Sequence, residues 1–229
     1  MSGMFFRCRL FFKKWVSSIY GIALLAAIPI AAIILYHDFY YEETGKLLSL
    51  IFEQLAPIWL ILILQRYFSI EFDSGFFTQV VTYPIARYKF LLERFLFACM
   101  LFFIMLGIIA LVLTSIFGAI IWKAFLYTLP LYFFYSAVML IGLVISKRSL
   151  GALLGGIFLF LLSFIGAPLL GQALQMIMLK YGSVIYFLEG KTGYAFADND
   201  LYYYNRLMYM GFGIILFILA LIKFQRKPV

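Results

Sequence analysis

The chain has 229 residues, of which 66% are hydrophobic and 12% charged, and it carries a formal net charge of +8. Soluble domains average roughly 45–50% apolar and about 25% charged residues. A chain of this length has too little interior to hide the surplus, so a water-soluble globule is excluded and lipid must cover the excess. Six apolar runs of about 20 residues match a ~30 Å hydrocarbon core. No loop between them is long enough for a self-contained kinase, ATPase or nuclease.

In chain order, residues 3–14 predict an interfacial helix. At about 100° per residue, Met4, Phe5, Cys8, Phe11 and Phe12 share one arc while Arg7, Arg9, Lys13 and Lys14 share the other. Phe6 and Leu10 break the pattern. Such a helix lies on the inner leaflet, its cations against anionic headgroups. The first span, 15–36, has the basic flank of a signal peptide, but its apolar run is too long and lacks a convincing cleavage site, so it reads as a retained anchor. The remaining spans are 50–68, 95–116, 125–145, 150–170 and 207–224. The expected fold is an all-α integral membrane protein with six transmembrane helices and a single transmembrane domain over 1–229.

Loop charge orients the bundle. With the N-terminus inside, 13 Lys and Arg residues lie on the inner side and 5 (Lys46, Lys123, Lys180, Lys191 and Arg206) on the outer side. The positive-inside bias therefore places both termini in the cytoplasm. The distribution of the charge assigns it to membrane lipid rather than to nucleic acid.

Two connections are too long for simple turns. The outer one, about 171–206, contains Tyr181, Tyr186, Tyr194 and the run Tyr202-Tyr203-Tyr204, and ends in the turn signal Asp198-Asn199-Asp200. Tyrosines at this level fit an interfacial belt, ring buried and hydroxyl wet; contact with a departing substrate is the alternative. The inner connection, about 69–93, runs Glu71-Phe72-Asp73-Ser74-Gly75-Phe76-Phe77 and on through Tyr83-Pro84-Ile85-Ala86-Arg87. Its acidic start suits a helix N-terminus, Pro84 turns or ends that helix, and Arg87, Lys89 and Arg94 anchor the returning chain at the headgroups. A short helix held this way between two spans is placed to pass motion from a cytoplasmic partner into the bundle.

This segment resembles the intracellular loop of ABC-2 type transporter permeases, whose usual wording is close to E-x-E-x-G-T-L-x-x-L-L-x-x-P-x-S-R with a later basic residue. Glu71 and Asp73 take the acidic places, Gly75 the glycine, Pro84 the proline, Arg87 the arginine and Arg94 the later basic position. Phe76 replaces a common threonine and Ala86 a common serine. The motif covers about a tenth of the chain, while the six-span layout with both ends inside extends the similarity to its whole length. The resemblance implies the membrane subunit of a bacterial ATP-driven exporter in the cytoplasmic membrane, with a hydrophobic or amphipathic cargo such as a peptide, an antimicrobial or a lipid-like compound. It also implies two copies of a separate ABC ATPase and a second permease subunit, identical or related. The loop would be the coupling helix, with Phe76 and Phe77 entering the ATPase and Glu71 and Asp73 at the rim.

No P-loop is present, because Gly190-Lys191-Thr192 has Ile185 at the required glycine position and Gly45-Lys46 has Tyr40 there. The chain is therefore expected not to be an enzyme and to bind no cofactor, with ATP and Mg²⁺ on the partner. Cys8, Cys99 and the single His37 offer no metal site. Glu42-Glu43 lacks the histidines an intramembrane metalloprotease needs.

Three weaker signals remain. Gly151 and Gly155 form a G-x-x-x-G face, either between membrane halves or within one bundle. Glu53 and Gln54, near the outer end of the second span, read as a solvated helix end or, facing inward, as part of a substrate pathway. A self-contained secondary transporter or channel is the alternative function, although no internal repeat supports it.

Overall fold

The computed structural model describes residues 44–73, 87–169, 183–189 and 200–226, together with residues 13, 18–20, 22, 23, 26, 27, 30, 31 and 34. The long segments are almost entirely helical. Helix α1 (Thr44–Ser49) runs through a π-helical stretch (Leu50–Leu55) into α2 (Ala56–Phe68) and a second π-helical stretch (Ser69–Asp73). Then come α3 (Arg87–Phe117), α4 (Ile120–Ser146), α5 (Ser149–Leu169), α6 (Ser183–Glu189) and α7 (Asp200–Arg226).

Among the described residues, four helices are long and apolar enough to cross a membrane: Thr44–Phe68, Leu91–Phe117, Ile120–Ser146 and Tyr203–Gln225. They are compatible with a multi-pass membrane protein. The fifth expected span coincides with α5, within which Ser149–Ser163 forms a shorter apolar helix. Most of the first span, all of the interfacial segment 3–14 except residue 13, and residues 74–86 of the inner connection lie outside the described residues. The hydroxyl of Ser18 sits 3.5 Å from Arg66 Nη2.

The second span forms the centre of the bundle. Leu48, Ile51, Phe52, Ala56, Leu60, Ile63, Leu64, Tyr67 and Phe68 are wholly buried on it, and α3, α4 and α5 pack around α2. Helix α7 lies along α4. Edge-to-face aromatic contacts tie the layers, including Trp59 to Phe102 at 5.6 Å and Phe102 to Tyr132 at 5.2 Å between ring centroids. The outer face of α3 carries Leu96, Met100, Ile104, Ile108 and Leu111, all exposed. Spacings of three and four put them on one stripe, an apolar face on the outside of the bundle.

Short links enforce antiparallel neighbours. Between α3 and α4, Gly118 adopts φ 74°, a left-handed geometry that glycine takes without a Cβ penalty, and donates its N–H to Thr114 O at 2.9 Å. Between α4 and α5, Lys147 takes φ 60° and donates to Leu143 O at 2.8 Å. There the backbones nearly touch: a Cβ on Gly151 would lie 2.0 Å from Ser146 Oγ and 2.7 Å from Gly142 O, and one on Gly142 would lie 2.5 Å from Gly151 O. Gly155 faces Val138 on α4 more loosely, at 3.4 Å. Gly151 and Gly155 both pack against α4 of the same chain.

Four helix starts fall well before the hydropathy boundaries. The second span begins at Thr44 rather than 50, the third at Arg87 rather than 95, the fourth at Ile120 rather than 125, and the last at Asp200 rather than 207. Helix α3, with 31 residues, is about 46 Å long at ~1.5 Å per residue and outruns a ~30 Å core. Hydropathy marks where lipid ends, whereas backbone hydrogen bonding continues through polar residues wherever they find partners.

Candidate functional site

Two polar constellations stand out at opposite ends of the bundle, and Glu53 anchors the larger. It lies on the π-helical stretch just before Pro57. There Ala56 donates its N–H to Ile51 O, five residues back, and proline has no N–H to offer Phe52 O. Tyr132 of α4 supplies the missing donor, its hydroxyl reaching Phe52 O at 2.7 Å. The widened turn is thus held open by a side chain from another helix.

The Glu53 side chain is 2% exposed, which overturns its expectation as a solvated helix end. Its Oε2 accepts from Ser49 Oγ at 2.8 Å. Its Oε1 accepts from the Ser183 hydroxyl, from Val184 N at 3.2 Å and from Arg206 Nη2 at 3.2 Å. Arg206 Nη2 also donates to Ser183 Oγ at 2.7 Å. The guanidinium lies over the Tyr127 ring, 4.1 Å from its centroid, and Phe187 stacks on Tyr127 at 4.2 Å and 11°. Among the described residues, Arg206 Nε and Nη1 and the Tyr127 hydroxyl are buried without a hydrogen-bond partner.

Breaking such a buried pair from one side typically costs ~3–5 kcal/mol, because the surviving charge is left in an apolar surrounding. The pair therefore locks α1, α6 and α7 together at this end. Gln54, its neighbour, is only half-buried. Arg206 was legible only as an outer-side cation; the available clue was its opposite charge to Glu53 at the same membrane level.

At the other end stands Asp73. Its Oδ1 accepts the backbone N–H of Ser149 at 3.1 Å, and its Oδ2 accepts the Ser149 hydroxyl. A carboxylate placed here satisfies an orphan donor at the start of α5 and meets the positive end of its dipole. Phe72 contacts Phe68 and Phe224, ring centroids 6.3 and 6.4 Å apart, so the start of the inner connection is pinned to α2, α5 and α7. The motif did not foretell this intramolecular partner of Asp73.

Glu71 lies on the same π-helical stretch as Asp73, and Arg87 opens α3. Gly75, Phe76, Phe77 and Pro84 lie outside the described residues. No cluster of three or more metal-ligating side chains occurs among the described residues. Comparisons with protein-family models, with curated proteins and with solved structures found no match.

Proposed function

We propose that this chain is the membrane-spanning permease subunit of an ATP-driven ABC transporter in a bacterial cytoplasmic membrane, exporting a hydrophobic or amphipathic compound. The observation that carries the proposal is the spacing from Glu71 and Asp73 through Gly75, Pro84 and Arg87 to Arg94, in a segment leaving one spanning helix and returning to another. The Asp73 cap on α5 supports it mechanically: a push on this segment is delivered to the start of α5, and α5 is joined to α4 at the Gly142–Gly151 crossing. The nucleotide, its Mg²⁺ and the hydrolysis belong to two copies of a separate ATPase, and a second permease subunit completes the pathway.

The decisive experiment is copurification. Tagged chain extracted from its native cells in mild detergent should bring down a P-loop ATPase. Phe76→Ala together with Phe77→Ala should reduce that capture by about 30–1000-fold, the equivalent of ~2–4 kcal/mol for a buried aromatic anchor. Glu71→Gln should weaken capture only modestly, since rim ion pairs contribute ~0–1 kcal/mol. A chain that purifies without an ATPase, or a double variant that retains it, would overturn the coupling role.

The buried Glu53–Arg206 pair favours a second candidate, a self-contained secondary transporter, because intramembrane charges commonly line ion pathways. Transport by the purified chain in vesicles without ATP or ATPase would decide for that alternative.

A further inference from the structure

The Glu53 cluster joins segments far apart in the chain. One oxygen, Oε1, gathers the Ser183 hydroxyl and Val184 N–H at the start of α6 and the Arg206 guanidinium in the early turns of α7. Ser49, at the end of α1, holds the other oxygen. If Glu53 lets go, three elements lose their common tie at once.

The closed arrangement is strong in charge and incomplete in hydrogen bonding. Arg206 uses Nη2 twice, while Nε and Nη1 have no partner among the described residues. Those two groups do not share the fork that one carboxylate grips, so no small shift of Glu53 satisfies both. The Tyr127 hydroxyl, beside the guanidinium, is likewise buried without a hydrogen-bond partner among the described residues. Water entering between α6 and α7 would satisfy all three groups and solvate both charges. Packing therefore favours the closed form and hydration the open one, and each compensates much of what the other loses.

We infer that the Glu53–Arg206 pair is a latch on this end of the bundle, which opens by hydration of Arg206 and Tyr127 and recloses on the Glu53 carboxylate. Assigning the opening to release of the transported compound rests on the transporter proposal. The opening itself belongs to this chain alone.

The test uses full-length chain in lipid nanodiscs, with Cys8→Ser and Cys99→Ala and a single reporter, Val184→Cys, labelled by a charged maleimide. Val184 is fully buried, so labelling reports opening. Leu91→Cys, equally buried toward the other end, is the control reporter. Glu53→Gln should speed labelling of the first reporter about tenfold or more and leave the second unchanged. Tyr127→Phe should do the opposite, slowing the first reporter roughly fivefold or more, because it removes an unpartnered hydroxyl from the closed form.

Labelling of the Val184→Cys reporter that is no faster in Glu53→Gln, or no slower in Tyr127→Phe, overturns the latch. If Glu53→Gln exposes both reporters, that variant has loosened globally and the Tyr127→Phe arm decides alone. Neither ATPase nor ATP is present, so failure here leaves the copurification result standing, and failure there leaves the labelling result standing.

Discussion

The widened turn before Pro57 offers a sharp test of how this membrane helix is held. Phe52 O is the carbonyl that residue 57 would serve in the π register, and proline removes the donor; Tyr132 replaces it at 2.7 Å. Tyr132→Phe keeps a ring that is wholly buried and edge-packed on Phe102, so the change isolates the hydroxyl. Interhelical hydrogen bonds within membranes average ~0.6 kcal/mol and reach ~1.7. An orphaned buried carbonyl adds a desolvation penalty toward the ~1–3 kcal/mol range. A loss of about 1–2 kcal/mol is therefore expected for Tyr132→Phe. Pro57→Ala restores an N–H, and in either the π or the α register Phe52 O then has a backbone donor. In that background Tyr132→Phe should cost only about 0.5 kcal/mol, leaving a coupling of about 1 kcal/mol between residues on different helices. The assay is reversible SDS-driven unfolding in mild-detergent micelles, followed by tryptophan fluorescence, on all four members of the cycle. Equal costs for Tyr132→Phe with and without Pro57 would refute the claim that proline creates the need for the tyrosine.

The α4–α5 crossing and the Asp73 cap yield two further expectations in the same assay. Gly151→Ala should destabilise by about 2–3 kcal/mol, because its Cβ would stand 2.7 Å from a backbone oxygen that has no room to move, whereas Gly155→Ala, at 3.4 Å, should stay within about 0.5 kcal/mol. Asp73→Ala should cost about 1 kcal/mol by orphaning the Ser149 N–H, and Asp73→Asn, which keeps an acceptor oxygen, should recover most of that loss. Loss of equal size in both Asp73 variants would assign the effect to charge alone.

Hydrophobic runs alone marked the second, third, fourth and sixth expected spans, where the described residues form helices long and apolar enough to cross a membrane, because lipid demands about 20 apolar residues per crossing and few other pressures produce such runs. Close approach at Gly151 was legible as a small-residue face, although the sequence did not say which helix would fill it; Gly142 and Ser146, across a two-residue link, do. Helix ends were less legible. Hydropathy closed the last span at 207 because Tyr202 to Arg206 is not apolar, yet the helix runs to Asp200, with the Arg206 charge neutralised by Glu53 from the second span. The same contact explains why Glu53 read as a solvated end: a lone carboxylate near a membrane surface prefers water unless a distant cation meets it. Asp73 likewise read as an acidic place in a motif until Ser149 arrived beside it. Local composition marked the long apolar segments that form helices. The tertiary structure alone decided which buried charges and orphaned backbone groups are paired, because a partner 153 residues away leaves no periodic trace in the sequence.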